Sequence, residues 1–136
     1  MSGCIFCKII KGDIPSTKVY EDDECIAFLD INPVNKGHTL IVPKKHAEIV
    51  TDMSKSEFSK LMEKVHKIAK AIKKSVNPDG FNIYINNHPA AGQEVPHVHV
   101  HIIPRDEGDS KIKPWTHGKY EEKEMDRFQD MIKKGL

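Results

Sequence analysis

Between residues 54 and 75 the apolar positions fall three and four apart. Phe58, Leu61, Val65, Ile68, Ala69 and Ile72 make one stripe, which predicts a helix. Ser54 with Glu57 three residues later has the form of a capping box at its start, and Asn77-Pro78-Asp79-Gly80 ends it. Elsewhere the pattern is short and alternating. Residues 18–21 and 25–29 read as strands around an Asp22-Asp23 turn, and 39–42 as a third before Pro43. Residues 81–86 and 97–103 read as two more, separated by a Gly-containing loop over 87–96. Residues 4–11 predict a short helix stopped by Gly12 and the Ile14-Pro15 step. One long helix among strands with few crossovers is the pattern of an α+β domain with an antiparallel sheet of about five strands. After Pro104 the composition turns charged, with Gly108, Pro114 and Gly118. The division is therefore a domain over 1–105 and a tail over 106–136, packed on or near it. The tail ends in an amphipathic helix, 121–133, with Met125, Phe128 and Ile132 on one face.

Within the last strand, His97, His99 and His101 alternate with Val98, Val100 and Ile102. Strand geometry puts the histidines in one row, about 7 Å apart, and the aliphatic residues against the core. Three readings follow. The row is the solvated face of an edge strand, or it holds a metal such as zinc, or its central imidazole is a nucleophile. For attack on phosphorus an imidazole must be neutral and oriented, with donors around the phosphate. The preceding loop, Ala91-Gly92-Gln93-Glu94-Val95, offers backbone N–H groups and an amide, although Gly92 also suits a plain hairpin.

Composition narrows the setting. The chain has 136 residues, enough for one ordinary domain. Lys and Arg number 21 against 20 acids, so no basic field argues for nucleic acid as the main partner. No apolar run reaches membrane-spanning length and no signal-peptide core opens the chain, which suggests an intracellular protein without a membrane partner. Three cysteines, Cys4, Cys7 and Cys25, make no disulfide framework. Cys4 and Cys7 form a C-x-x-C pair suited to zinc if two distant histidines complete it. A redox pair or inert thiols are the alternatives.

The segment His97-Val98-His99-Val100-His101-Ile102-Ile103 resembles the signature of the histidine triad (HIT) family, in which each histidine is followed by an apolar residue. Cys4 to Ile10, Phe28 to Pro33, Gly37 to Leu40, Pro43 to His46 and Ala91 to Gln93 are similar to segments of its Hint-like branch, in the same order. The resemblance covers residues 4–105 and not the tail. It implies a hydrolase or transferase that takes a nucleoside monophosphate, AMP above all, from an amine or phosphate leaving group. By the same resemblance His99 attacks the α-phosphorus, His101 and His97 serve beside it, and His38 borders the site. Asp30 then holds the ribose, and Phe6, Ile9, Phe28, Ile31 and Leu40 form the base slot, though core packing is the plainer role for each. Asn86, Gly92, Gln93, Glu94 and Val95 line the phosphate.

Some members bind zinc structurally through residues matching Cys4, Cys7, His46 and His97, and the resemblance also implies a homodimer that extends the sheet. The expected location is the cytoplasm, with nuclear entry open to so small a chain in a eukaryote. Glu94 departs from the family's frequent Ser or Thr, and a carboxylate beside phosphate is repulsive unless it meets a cation, turns outward or is protonated. Two rival functions stand beside the nucleotidyl hydrolase: a nucleotide-binding regulatory module with little turnover, and a zinc-dependent hydrolase with the metal on the row.

Overall fold

A computed structural model describes residues 3–136. The order is α1 (Ile5–Lys11), β1 (Lys18–Glu21), β2 (Cys25–Leu29), β3 (Thr39–Pro43), α2 (Lys55–Val76), β4 (Gly80–Ile85), β5 (Val100–Arg105) and α3 (Glu124–Gly135). The strands form one antiparallel sheet in the order β1-β2-β3-β5-β4. The α+β expectation holds, and β5 runs between β3 and β4. The solvated edge-strand reading of the histidines is thereby overturned: His101 lies in a strand paired on both sides, and His97 and His99, just upstream of it, are buried.

Helix α2 begins as its sequence dictates. The Ser54 N–H donates to Glu57 Oε2 at 2.8 Å and the Glu57 N–H donates to Ser54 Oγ at 3.1 Å, so two of the helix's orphan donors are satisfied. Its apolar stripe packs Leu61, Val65, Ile68, Ala69 and Ile72 on one sheet face, against Ala27, Ile41, Val98, Val100 and Ile102. Truncating Leu61 to Ala there costs about 2–5 kcal/mol. The other face carries Ile26, Phe28, Leu40 and Val42, and α1 covers part of it with Phe6 and Ile9. The histidines lie on this second face, where a short helix leaves room beside them.

The ladder of β5 starts at Val100, three residues later than the alternation predicts. Upstream, the Val98 N–H donates to the Ala47 carbonyl at 2.8 Å instead of to a strand. Alternation nevertheless persists, with Val98 in the α2 core and His97 and His99 beside Phe6.

At the far end the Asp109 carboxylate accepts from Arg105 Nε at 2.9 Å, Arg105 Nη2 at 2.6 Å and Asn35 Nδ2 at 2.8 Å. These bonds pin the end of β5 to the loop after β2. Beyond them residues 111–120 form neither helix nor strand, and α3 buries none of its residues.

Candidate active site and metal centre

His97 is fully buried and donates its Nε2 proton, because the atom facing Nε2 is the Pro43 carbonyl oxygen at 2.8 Å. Its lone pair is therefore on Nδ1. That nitrogen lies 3.3 Å from Cys4 Sγ, 3.6 Å from Cys7 Sγ and 3.1 Å from His46 Nδ1, while Cys7 Sγ is 3.4 Å from His46 Nδ1. All four ligand atoms fall within 4.8 Å of one another. Tetrahedral zinc with its usual bond lengths would set about 3.3 Å between nitrogens and about 3.5 Å between nitrogen and sulfur. The donor set fits the metal: two sulfurs and two imidazole nitrogens converge, with the His97 Nδ1 lone pair directed among them. Local folding explains the convergence. Cys4 caps α1 and accepts the Cys7 N–H at 3.4 Å, which turns both sulfurs to one side, and the 43–47 turn brings His46 across. Burial pushes the Cys7 thiol up and takes His97 down to about 4, so without a cation these two groups stay neutral.

His99 has the opposite tautomer. Its Nδ1 faces the His97 carbonyl oxygen at 2.7 Å and must be the protonated atom, which leaves the Nε2 lone pair free. Phe6 packs edge-on at 5.0 Å, fixing the ring plane. Burial lowers the His99 pKa, opposed by the His97 carbonyl and by the negative charge of Asp30 and Glu94, so the ring is neutral near pH 7. His101 comes closer to it than the strand rise alone gives, 4.8 Å between ring centroids, because the rings lean together.

At the other end of the row a chain of hydrogen bonds forms. The Val34 N–H donates to His38 Nδ1 at 3.1 Å, so the His38 proton is on Nε2, which donates to His101 Nδ1 at 2.9 Å. His101 then carries its own proton on Nε2. Asp30 Oδ2 lies 3.7 Å from His38 Nε2. Two histidines and an aspartate within reach of one another look like metal ligands, but the Val34 N–H occupies the His38 nitrogen whose proton a Nε2-bound metal would require. This end is a proton-ordered chain. Burial lowers His38 and takes His101 down to about 4, which keeps it uncharged.

The loop before the row does less with its amides than its sequence promises. The N–H groups of Ala91, Gly92 and Gln93 are used within its own turn. The Gln93 side chain is buried and braced at both ends: its Oε1 accepts from the His88 N–H and its Nε2 donates to the Glu48 carbonyl, each at 2.7 Å. Of residues 91–95, Glu94 and Val95 keep N–H groups without a partner among the described residues. Gly92 is needed for its backbone, at φ 91°, and its carbonyl accepts from Asn86 Nδ2 at 3.4 Å. The Glu94 side chain is exposed. Of the proposed base slot, Phe6, Ile9, Phe28 and Leu40 are buried, whereas Ile31 is 91% exposed and takes no part in core packing. A cavity of about 260 Å³ between α2, the β1–β2 turn and the 43–47 turn is lined by none of the three row histidines.

A family model described as HIT domain matches residues 11–108. The chain belongs to the HIT family. Among HIT relatives it is 47% identical to Protein hit of Bacillus subtilis over 98% of this chain and 94% of that one. It is 46% identical to adenosine 5'-monophosphoramidase hnt1 of Schizosaccharomyces pombe, over 75% and 74% of the two chains. It is 47% identical to adenylylsulfatase HINT3 of Arabidopsis thaliana over 78% of this chain, which spans 54% of that protein. A crystal structure of a HIT family member from Bacillus subtilis superposes with a TM-score of 0.92 at 43% identity, covering 98% of this chain and 97% of that one. A zinc-bound histidine triad protein of Mycobacterium smegmatis does so with 0.76 at 32% identity, covering 99% of both.

Side-chain spacing pointed to the clusters of this HIT site but not to the backbone groups that set its chemistry. The Pro43 and His97 carbonyls and the Val34 N–H carry no signal in residue identity.

Proposed function

We propose that this chain hydrolyses a nucleoside monophosphate linked to an amine or phosphate, through a nucleotidyl-histidine intermediate on His99. The observation that carries the reading is the 2.7 Å bond from His99 Nδ1 to the His97 carbonyl, which directs a neutral, unshared Nε2 lone pair out of the row. In the first step that pair forms the N–P bond as the bond to the leaving group breaks. The departing amine or phosphate takes the proton of His101 Nε2, and His38 holds His101 in the required tautomer. Water then forms the new P–O bond, breaks the N–P bond and returns a proton. The Glu94 and Val95 amides and an in-line geometry supply charge stabilisation and positioning. Asp30 is the acceptor for ribose hydroxyls, and we assign the base to the apolar group of Phe6, Ile9, Phe28 and Leu40 together with the exposed Ile31.

The activities in the names of the fission yeast and Arabidopsis relatives support this class, with AMP as the nucleotide and an amine as the first leaving group to test. Cys4, Cys7, His46 and His97 would hold zinc in a closed set that ties α1 and the 43–47 turn to the row and gives the ion no open position for chemistry. The exposed apolar side chains of β4, Phe81 and Ile83, next to α2 are the face we assign to a second copy in a homodimer. Three free thiols fit a reducing compartment such as the cytoplasm. The test is incubation with adenosine 5'-phosphoramidate, rapid quench above neutral pH and intact mass measurement. An AMP adduct that maps to His99 and is absent in His99→Ala supports the reading, and full turnover by His99→Ala refutes it.

A further inference from the structure

The C-x-x-C pair holds more than two sulfurs in place. Phe6 stands between the cysteines in α1, and its ring meets His99 edge-on at 5.0 Å and His97 at 5.9 Å. Val95 packs on the same apolar group as Cys4 and Phe6. His97, whose ring faces the sulfurs, also supplies the carbonyl that orients His99. Yet α1 buries only Phe6 and Ile9 of its own residues. Its grip on the row therefore leans on the four-ligand set.

That grip is long in sequence. Through a shared ion Cys7 is tied to His46 across 39 residues and Cys4 to His97 across 93. A disulfide between Cys4 and Cys7 replaces both ties with a link closed inside the first turn of α1, and leaves His46 and His97 untied. The local geometry suits that bond. Cys4 is the extended N-cap residue, its Sγ accepts the Cys7 N–H, and the two sulfurs lie within 4.8 Å. Cys25 belongs to the core on the opposite face of the sheet.

An oxidant can reach the pair. Cys7 is partly exposed, and a groove of about 400 Å³ lined by Cys4, His46, Glu94 and Val95 opens on the cluster. Metal binding holds a thiol as thiolate, the form that attacks peroxides.

We propose that Cys4 and Cys7 are a site of reversible oxidation, at which a hydroperoxide turns the zinc-binding pair into an intrachain disulfide, frees the metal and releases α1 from the histidine row. The Cys7 sulfur forms an S–O bond as the O–O bond breaks, and water leaves after taking up a proton. The Cys4 sulfur then forms the S–S bond as the S–O bond breaks, and a second proton carries off a second water. Two electrons pass from the thiolates to the peroxide, and the uncharged sulfurs no longer hold the ion. The loss of activity that follows rests on the His99 reading, whereas the oxidation does not.

The test treats zinc-loaded full-length protein with hydrogen peroxide. It is read by peptide mass mapping, by zinc release to a chromogenic chelator, and by ¹H–¹⁵N correlation of the histidine rings beside turnover of adenosine 5'-phosphoramidate. The expected result is a Cys4–Cys7 disulfide, about 2 Da lighter, that forms in step with zinc release. His99 should lose its fixed Nδ1 tautomer and kcat should fall about 10²-fold, all restored by dithiothreitol and zinc, with Cys25→Ala responding as wild type. Sulfinic acid at Cys7 without a disulfide, zinc retained through oxidation, or a chain that takes up no zinc overturns the site. A disulfide with zinc release but an unchanged His99 tautomer overturns its link to the row. Reduced, loaded protein that leaves the phosphoramidate intact overturns the His99 function instead, and mass, zinc and ring spectra still decide the site.

Discussion

Opposite ends of the histidine row use one kind of side chain for opposite purposes, and the backbone decides which. At the His97 end a carbonyl takes the Nε2 proton, so Nδ1 is a bare lone pair among two sulfurs and a second imidazole. At the His101 end an N–H takes His38 Nδ1, so each ring must donate onward through Nε2 and no nitrogen between them is free for a metal. His99, between the two, is turned by a carbonyl to present Nε2. Burial lowers the pKa of all three members of the row. Desolvation therefore keeps the row neutral, while hydrogen bonding chooses the atom that reacts.

Substitutions along the row separate these roles, beginning with the largest effect. His99→Ala should lower kcat on phosphoramidate by about 10⁴-fold or more while metal content and melting temperature stay near wild type. Loss of metal in that variant would mean that the middle ring is a ligand.

His38→Ala frees His101 to adopt either tautomer, and kcat should fall about 10²-fold with KM nearly unchanged. His38→Gln, which can still donate, should recover part of it, and steady-state kinetics on the pair decides. An equal loss in both would locate the role of His38 in packing instead.

Cys7→Ser or His46→Ala should strip zinc, read by metal analysis, whereas His101→Ala should retain it. At free zinc a thousandfold above Kd the bound ion contributes about 4 kcal/mol of stability, so the ligand variants should show a lower melting temperature that added zinc does not restore.

Acid sharpens the contrast next. The folded pKa of His101 is depressed, so the folded state binds fewer protons than the unfolded chain below the ordinary histidine value of 6.5. Its contribution to stability is full above pH 6.5 and is lost as pH falls toward about 4. Chemical denaturation of His101→Gln across that window should show a shallower fall with pH than wild type, by up to one proton. Equal slopes would mean that His101 is solvated in the folded state.

The smallest effect is expected at Glu94. Glu94→Ser should alter the preference between cationic amine and anionic phosphate leaving groups by about tenfold, raising turnover of the anionic ones, as competition assays would show.

Much of the fold was legible because its signals are local. The stripe and cap of α2 and the turns bounding β1 and β2 lie within a few residues of the elements they define, and those bounds agree to within one or two residues. The start of β5 was not legible, because where pairing begins depends on the Ala47 carbonyl, fifty-one positions away in sequence. The site divides the same way. Histidine spacing and the C-x-x-C pair marked the clusters, but tautomers are set by main-chain groups that every residue possesses. Gln93 looked like a phosphate ligand by residue type, and its amide is instead committed to His88 and Glu48.

The most direct test is long-range ¹H–¹⁵N correlation of the histidine rings in the zinc-loaded protein at neutral pH. The account predicts His46 and His97 metal-bound through Nδ1, His99 neutral with its proton on Nδ1, and His38 and His101 neutral with theirs on Nε2. A metal-bound or cationic His99, or a metal-bound His101, contradicts it.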